Sequence, residues 1–104
     1  MVKTGKKVSK ECIYKQLKKL KPILEQNFGV VKIGIFGSVA RGDNTVNSDV
    51  DILVEIQKTK FSLIDFVKLK QFLEEKLECK VDLVMKRAIK PKLKKDILNE
   101  VIYV

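Results

Sequence analysis

Asp49 and Asp51, two aspartates with one residue between them, are the first pair in this chain whose type and spacing could do chemistry. On a strand, side chains alternate between faces, so residues two apart project from the same side. Two carboxylates that close repel when ionised unless a positive group lies between them. A hard divalent cation meets that need, and magnesium is commonly held by one or two carboxylates plus substrate phosphates. An exposed polar strand end has the same pattern, and a lone Asp-x-Asp favours that plainer reading.

The pair is not alone. Gly37 and Ser38 follow an apolar run and precede the start of a short helix. Glycine lets a backbone approach a phosphate closely, the amides that follow can donate to an anion, and Ser38 adds a hydroxyl. Taken singly, they are better explained by an ordinary strand-ending turn. The segment is not a Walker A loop, and the spacing of Gly34 and Gly37 does not fit a dinucleotide-binding fingerprint. A third carboxylate, Asp82, sits in Lys-Val-Asp-Leu-Val. A charge among apolar residues needs a partner or a metal. If its strand pairs beside that of Asp51, three carboxylates suffice for two metal ions about 3.5–4 Å apart, a clamp for in-line displacement at phosphorus. A satisfied edge-strand aspartate is the alternative.

The elements that must position these residues can be read from periodicity. Ile13, Leu17, Leu20 and Leu24 mark an amphipathic helix opening at Ser9, with Pro22 predicting a kink, or a stop at Leu20 and a restart. Residues 30–36 and 50–56 are β-branched and apolar runs of strand length. A short helix is expected over 38–42 and a polar loop over 43–48. Ser62 caps a long helix to about residue 78, with Leu63, Phe66, Leu69, Leu73 and Leu77 along one face. Residues 80–84 form a third strand. Pro91 opens a closing helix whose stripe is Leu93, Ile97, Leu98 and Val101, followed by the apolar Ile102-Tyr103-Val104. Residues 1–8 read as frayed. Helix and strand alternate, so the expected class is α/β or α+β: a small mixed sheet flanked by helices, in one domain over 1–104.

Composition narrows the chemistry. The chain has 104 residues, 45% of them apolar, which suffices for a core without disulfides. It contains no histidine, which removes Ser-His and Cys-His nucleophiles, histidine zinc sites and imidazole bases. Cys12 and Cys79 form no Cys-x-x-Cys pair, and Cys12 reads as a small core residue. No apolar run approaches the roughly 18–20 residues of a membrane span, and no signal peptide is visible, so a cytoplasmic location is expected. The net charge is +9, concentrated at residues 1–21, with eight lysines against Glu11, and at 86–95, with six basic residues and no acid. Such fields attract polyphosphates, nucleic acids or acidic partners. Twenty lysines against two arginines make direct nucleic-acid binding the less favoured partner.

Gly-Ser, ten intervening residues and Asp-x-Asp together resemble the signature of the DNA polymerase β-like nucleotidyltransferase superfamily. Gly-Ser-Val-Ala-Arg-Gly-Asp, Ser-Asp-Val-Asp-Ile-Leu-Val, the long helix, Lys-Val-Asp-Leu-Val and the Lys-Pro before a closing helix resemble its one-domain branch, the minimal nucleotidyltransferases. The likeness runs from about Ser9 to the end. It implies that Asp49 and Asp51 bind two magnesium ions. Asp82 would hold one of these and help deprotonate the acceptor hydroxyl, Gly37 and Ser38 would grip the triphosphate of ATP, and Arg41 is open to two equal readings, contact with a phosphate or plain loop packing. It further implies an antitoxin that transfers AMP to a tyrosine of a HEPN-domain toxin RNase. Two alternatives accompany it: a module that neutralises a partner by binding alone, and a small-molecule nucleotidyltransferase.

Overall fold

The computed structural model describes residues 8–57 and 59–104. Helix α1 (Lys10–Phe28) leads into strand β1 (Val30–Phe36), the short helix α2 (Gly37–Arg41) and strand β2 (Val50–Ile56). Helix α3 (Leu63–Leu77), strand β3 (Val81–Met85), a 3-10 turn (Lys86–Ala88), helix α4 (Pro91–Glu100) and strand β4 (Ile102–Tyr103) complete the order. The sheet order is β3-β2-β1-β4. β1 is antiparallel to both β2 and β4, and β2 is parallel to β3. This is the small mixed sheet with helices that the sequence predicts.

Both predicted caps form. Ser9 accepts from the Cys12 amide at 3.1 Å. Ser62 and Asp65 close a reciprocal capping box, each side chain accepting from the other's backbone N–H. α1 runs unbroken through Pro22, which overturns the predicted stop at Leu20. A mid-helix proline costs about 3 kcal/mol. Leu17 and Leu24, fully buried on either side of it, each stabilise the helix by about 1.5–3 kcal/mol and hold it together.

The two faces of the sheet differ. Ile33 and Ile35 of β1, Val50, Ile52 and Val54 of β2, and Val81 and Leu83 of β3 join one buried cluster with Ile13, Leu17 and Leu24 of α1 and Leu69, Leu73 and Leu77 of α3. The alternate residues lie on the other face. There the register aligns Lys32 with Glu55, Gly34 with Leu53, and Phe36 with Asp51. A β-carbon on Gly34 would lie 2.8 Å from the Ile102 carbonyl oxygen, so glycine is what lets β4 close on β1.

Four expectations need correction. Cys12 is exposed, because it lies one position round the helix from the buried Ile13. Leu63 is 77% exposed, in the first turn of α3. It lines an apolar groove of about 460 Å³ with Phe61, Phe66, Leu83 and Met85, instead of joining the core. Val101 ends α4, no residue of α4 is buried, and Ile102 and Tyr103 pair with β1 as a strand. Residues 1–7 of the segment read as frayed lie outside the described residues, but Val8 packs against the core and its carbonyl accepts from buried Asn44 at 2.9 Å. Among the described residues no helix is long and apolar enough to cross a membrane.

Candidate active site

The parallel register of β2 and β3 does what the sequence reading required of it. Asp51 pairs with Asp82 across the ladder. The Val50 amide donates to the Lys80 carbonyl at 2.9 Å and fixes the start of that ladder. Asp49 is exposed immediately before β2, two residues from Asp51. Ahead of it, Ser48 Oγ accepts from the Thr45 amide at 2.9 Å, and the Ser48 amide donates back to the Thr45 carbonyl at 3.1 Å. These two bonds shape the loop that delivers Asp49.

On the neighbouring strand, Phe36 pairs with Asp51, so Gly37 follows directly alongside the carboxylates. Gly37 has φ +73°, and a β-carbon there would overlap the Asp51 carboxylate. Glycine thus serves twice, in the backbone conformation and in the close approach. Ser38 is the second residue of α2, with its carbonyl accepting from the Gly42 and Asp43 amides. Among the described residues no hydrogen bond engages its hydroxyl.

The electrostatics register the crowding. Burial pushes the Asp51 carboxyl up, helped by the charge of Asp82, a hydrogen bond between these two carboxyl groups, and the charges of Asp49 and Glu100, to about 6. Arg41 lies between two acids. Its Nη1 donates to Glu100 Oε2 at 2.7 Å and its Nε to Asp43 Oδ2 at 3.1 Å. Glu100 Oε1 accepts from the Gly37 amide at 2.7 Å. The Arg41 hydrogen bond, followed by that of the Gly37 amide, lowers the Glu100 carboxyl below its ordinary value. The structure thus brings Gly37, Asp51 and Asp82 together with Asp49 beside them, and it adds Glu100, which the sequence reading missed. One signal was available: Glu100 is an acid in the last turn of a helix, where the dipole disfavours negative charge. Among the described residues no three acidic or cysteine side chains stand in a ready metal cage.

Comparison with known proteins places the chain in a family. The nucleotidyltransferase domain family matches residues 17–104. The chain belongs to that family. As a nucleotidyltransferase it is similar to the protein adenylyltransferase MntA of Thermococcus cleftensis, 47% identical over 81 residues, covering 78% of this chain and 81% of the relative. Its fold matches a structure solved for a proposed minimal nucleotidyltransferase, with TM-score 0.78 and 33% identity over 91% of this chain and 95% of the other. It also resembles a chain from a toxin–antitoxin structure with AMP-PNP, with TM-score 0.66 and 28% identity over 92% of this nucleotidyltransferase and 72% of that chain. A further neighbour comes from a tri-AMPylated HEPN toxin of Shewanella oneidensis in complex with its MNT antitoxin, with TM-score 0.65 and 25% identity over 88% of this chain and 70% of that one.

Proposed function

We propose that this nucleotidyltransferase moves AMP from ATP to a tyrosine hydroxyl of a HEPN-type toxin RNase, and so acts as that toxin's antitoxin, with magnesium held by Asp49, Asp51 and Asp82. The observation that carries the reading is the register that sets Asp82 beside Asp51, two residues from Asp49 and directly alongside Gly37. The MntA relative and the toxin–antitoxin neighbours support it.

The donor set suits a hard cation. It is made of carboxylate oxygens, and the raised Asp51 carboxyl marks a place where added positive charge is favourable. Bound magnesium would supply neutralisation of the charge that builds on the α-phosphate. The Gly37 amide and the Ser38 hydroxyl would bind the triphosphate, and Arg41 would reach a phosphate oxygen. The tyrosine oxygen attacks the α-phosphorus, its new O–P bond replaces the bond to the β-phosphate bridge, and pyrophosphate leaves. Asp82 takes the hydroxyl proton.

Ser38→Ala is expected to raise KM for ATP about 10- to 100-fold, because one hydrogen bond to a charged phosphate contributes about 1.5–3 kcal/mol. Steady-state kinetics against ATP concentration check this. The acceptor is tested by incubating the protein with its partner RNase, ATP and magnesium and measuring the partner's intact mass and RNA cleavage. The expected result is AMP on a partner tyrosine and lost cleavage. Undiminished inhibition with Asp49→Asn and without ATP would mean that binding alone suffices.

A further inference from the structure

We propose that Glu100 gates the triphosphate subsite: its carboxylate holds the Gly37 amide and the Arg41 guanidinium, and nucleotide enters by displacing it. The inference rests on the reading above, in which those two groups bind phosphate.

The geometry is specific. One oxygen of Glu100 accepts from Gly37 and the other from Arg41, each at 2.7 Å, within the short range of charge-assisted hydrogen bonds. A single backbone N–H aimed at one acceptor cannot serve a phosphate oxygen equally well at the same time. The carboxylate therefore occupies the Gly37 amide and one Arg41 N–H, on Nη1, that a triphosphate would use, with the same charge sign and the same two-oxygen reach.

The gate is free to move. The Glu100 side chain is 29% exposed, so water reaches it. No residue of α4 is buried, so a change at its last turn opens no core. β4 stays fixed to β1 by its own pairing, so rotation of the Glu100 side chain alone clears the amide. Glu100 also sits within electrostatic reach of Asp51 and Asp43, so its departure thins the negative charge that an incoming triphosphate meets.

The test is calorimetric binding of AMP-PNP with magnesium, and of tripolyphosphate alone, to the wild type, Glu100→Gln and Glu100→Ala. Gly37 amide resonances report whether the Glu100 contact is made in each protein. Both variants are expected to bind the two probes at least about tenfold more tightly, a change that lost packing does not produce, and the Gly37 resonance of the wild type moves on addition of tripolyphosphate. Unchanged or weaker binding by both variants, with the wild type binding AMP-PNP, overturns the gate and leaves the nucleotide reading standing. The second of these results would make Glu100 a positioning residue for Arg41. Absence of AMP-PNP binding in all three proteins overturns the nucleotide reading and the gate together.

Discussion

Asp51→Asn is expected to reduce AMP transfer by about 10²–10³-fold or more while making the nucleotide-free protein more stable at neutral pH. On the proposed reading, loss of activity follows from removing one carboxylate that would hold the cation neutralising transition-state charge, and individual contributions of that kind are of that size. The gain in stability follows from the crowding on the β2–β3 ladder. Burial and the neighbouring acids raise the Asp51 carboxyl from 3.8 to about 6. A carboxyl raised on folding contributes fully to stability below its unfolded value and loses that contribution as pH rises through its folded value. At pH 7.5 the wild type therefore carries a disfavoured charge that asparagine lacks. At pH 4 Asp51 is largely protonated in the folded protein, and the advantage shrinks. Thermal unfolding of both proteins at the two pH values, without metal or nucleotide, is the check. A less stable Asp51→Asn at pH 7.5 would contradict this account of the site's electrostatics.

Gly37→Ala is expected to lose activity to a comparable degree, for two reasons acting together. A φ of +73° is unfavourable for alanine by about 1–2 kcal/mol. The added carbon would also overlap the Asp51 carboxylate, so either the strand end or the aspartate must shift. A displacement of about 1 Å near the chemistry is enough for a loss of about 10² in rate. Gly42→Ala separates the two causes. Its φ is +84°, yet a β-carbon there meets nothing within 4 Å. That variant should be destabilised by about 1–2 kcal/mol and keep its kcat, as denaturant unfolding and initial rates will show. Equal loss of activity in both variants would mean that backbone strain alone is responsible.

The parts of the fold that could be read from the sequence were those with long or chemically strict patterns. The β-branched runs of β1 and β2 match the observed strands end to end. Ser9 and Ser62 cap the helices they were expected to cap. Gly37, Ser38, Asp49 and Asp51 stood out because glycine, hydroxyl and carboxylate chemistry recurs at a fixed spacing. The site partnership of Asp82 was conditional on a pairing that local sequence does not determine, and the parallel register supplies it. What stayed hidden depended on contacts distant in sequence. β4 has two residues, too few for alternation to register, and exists because Gly34 leaves room for it. Leu63 carries the helical stripe yet is exposed in the first turn of α3, a matter of where the helix starts on the sheet. Glu100 lies 63 residues from Gly37, and only the folded chain brings its carboxylate to that amide.

The central claim, transfer at the α-phosphorus of ATP, is tested most directly by following label from the two ends of the triphosphate. The protein is incubated with its partner RNase and magnesium, once with ATP labelled on the α-phosphate and once with ATP labelled on the γ-phosphate. The α-label is expected on the partner, the γ-label is expected to leave with pyrophosphate, and neither is expected to transfer with Asp49→Asn. Label passing to the partner from the γ-phosphate and not from the α-phosphate would identify a kinase and contradict the account.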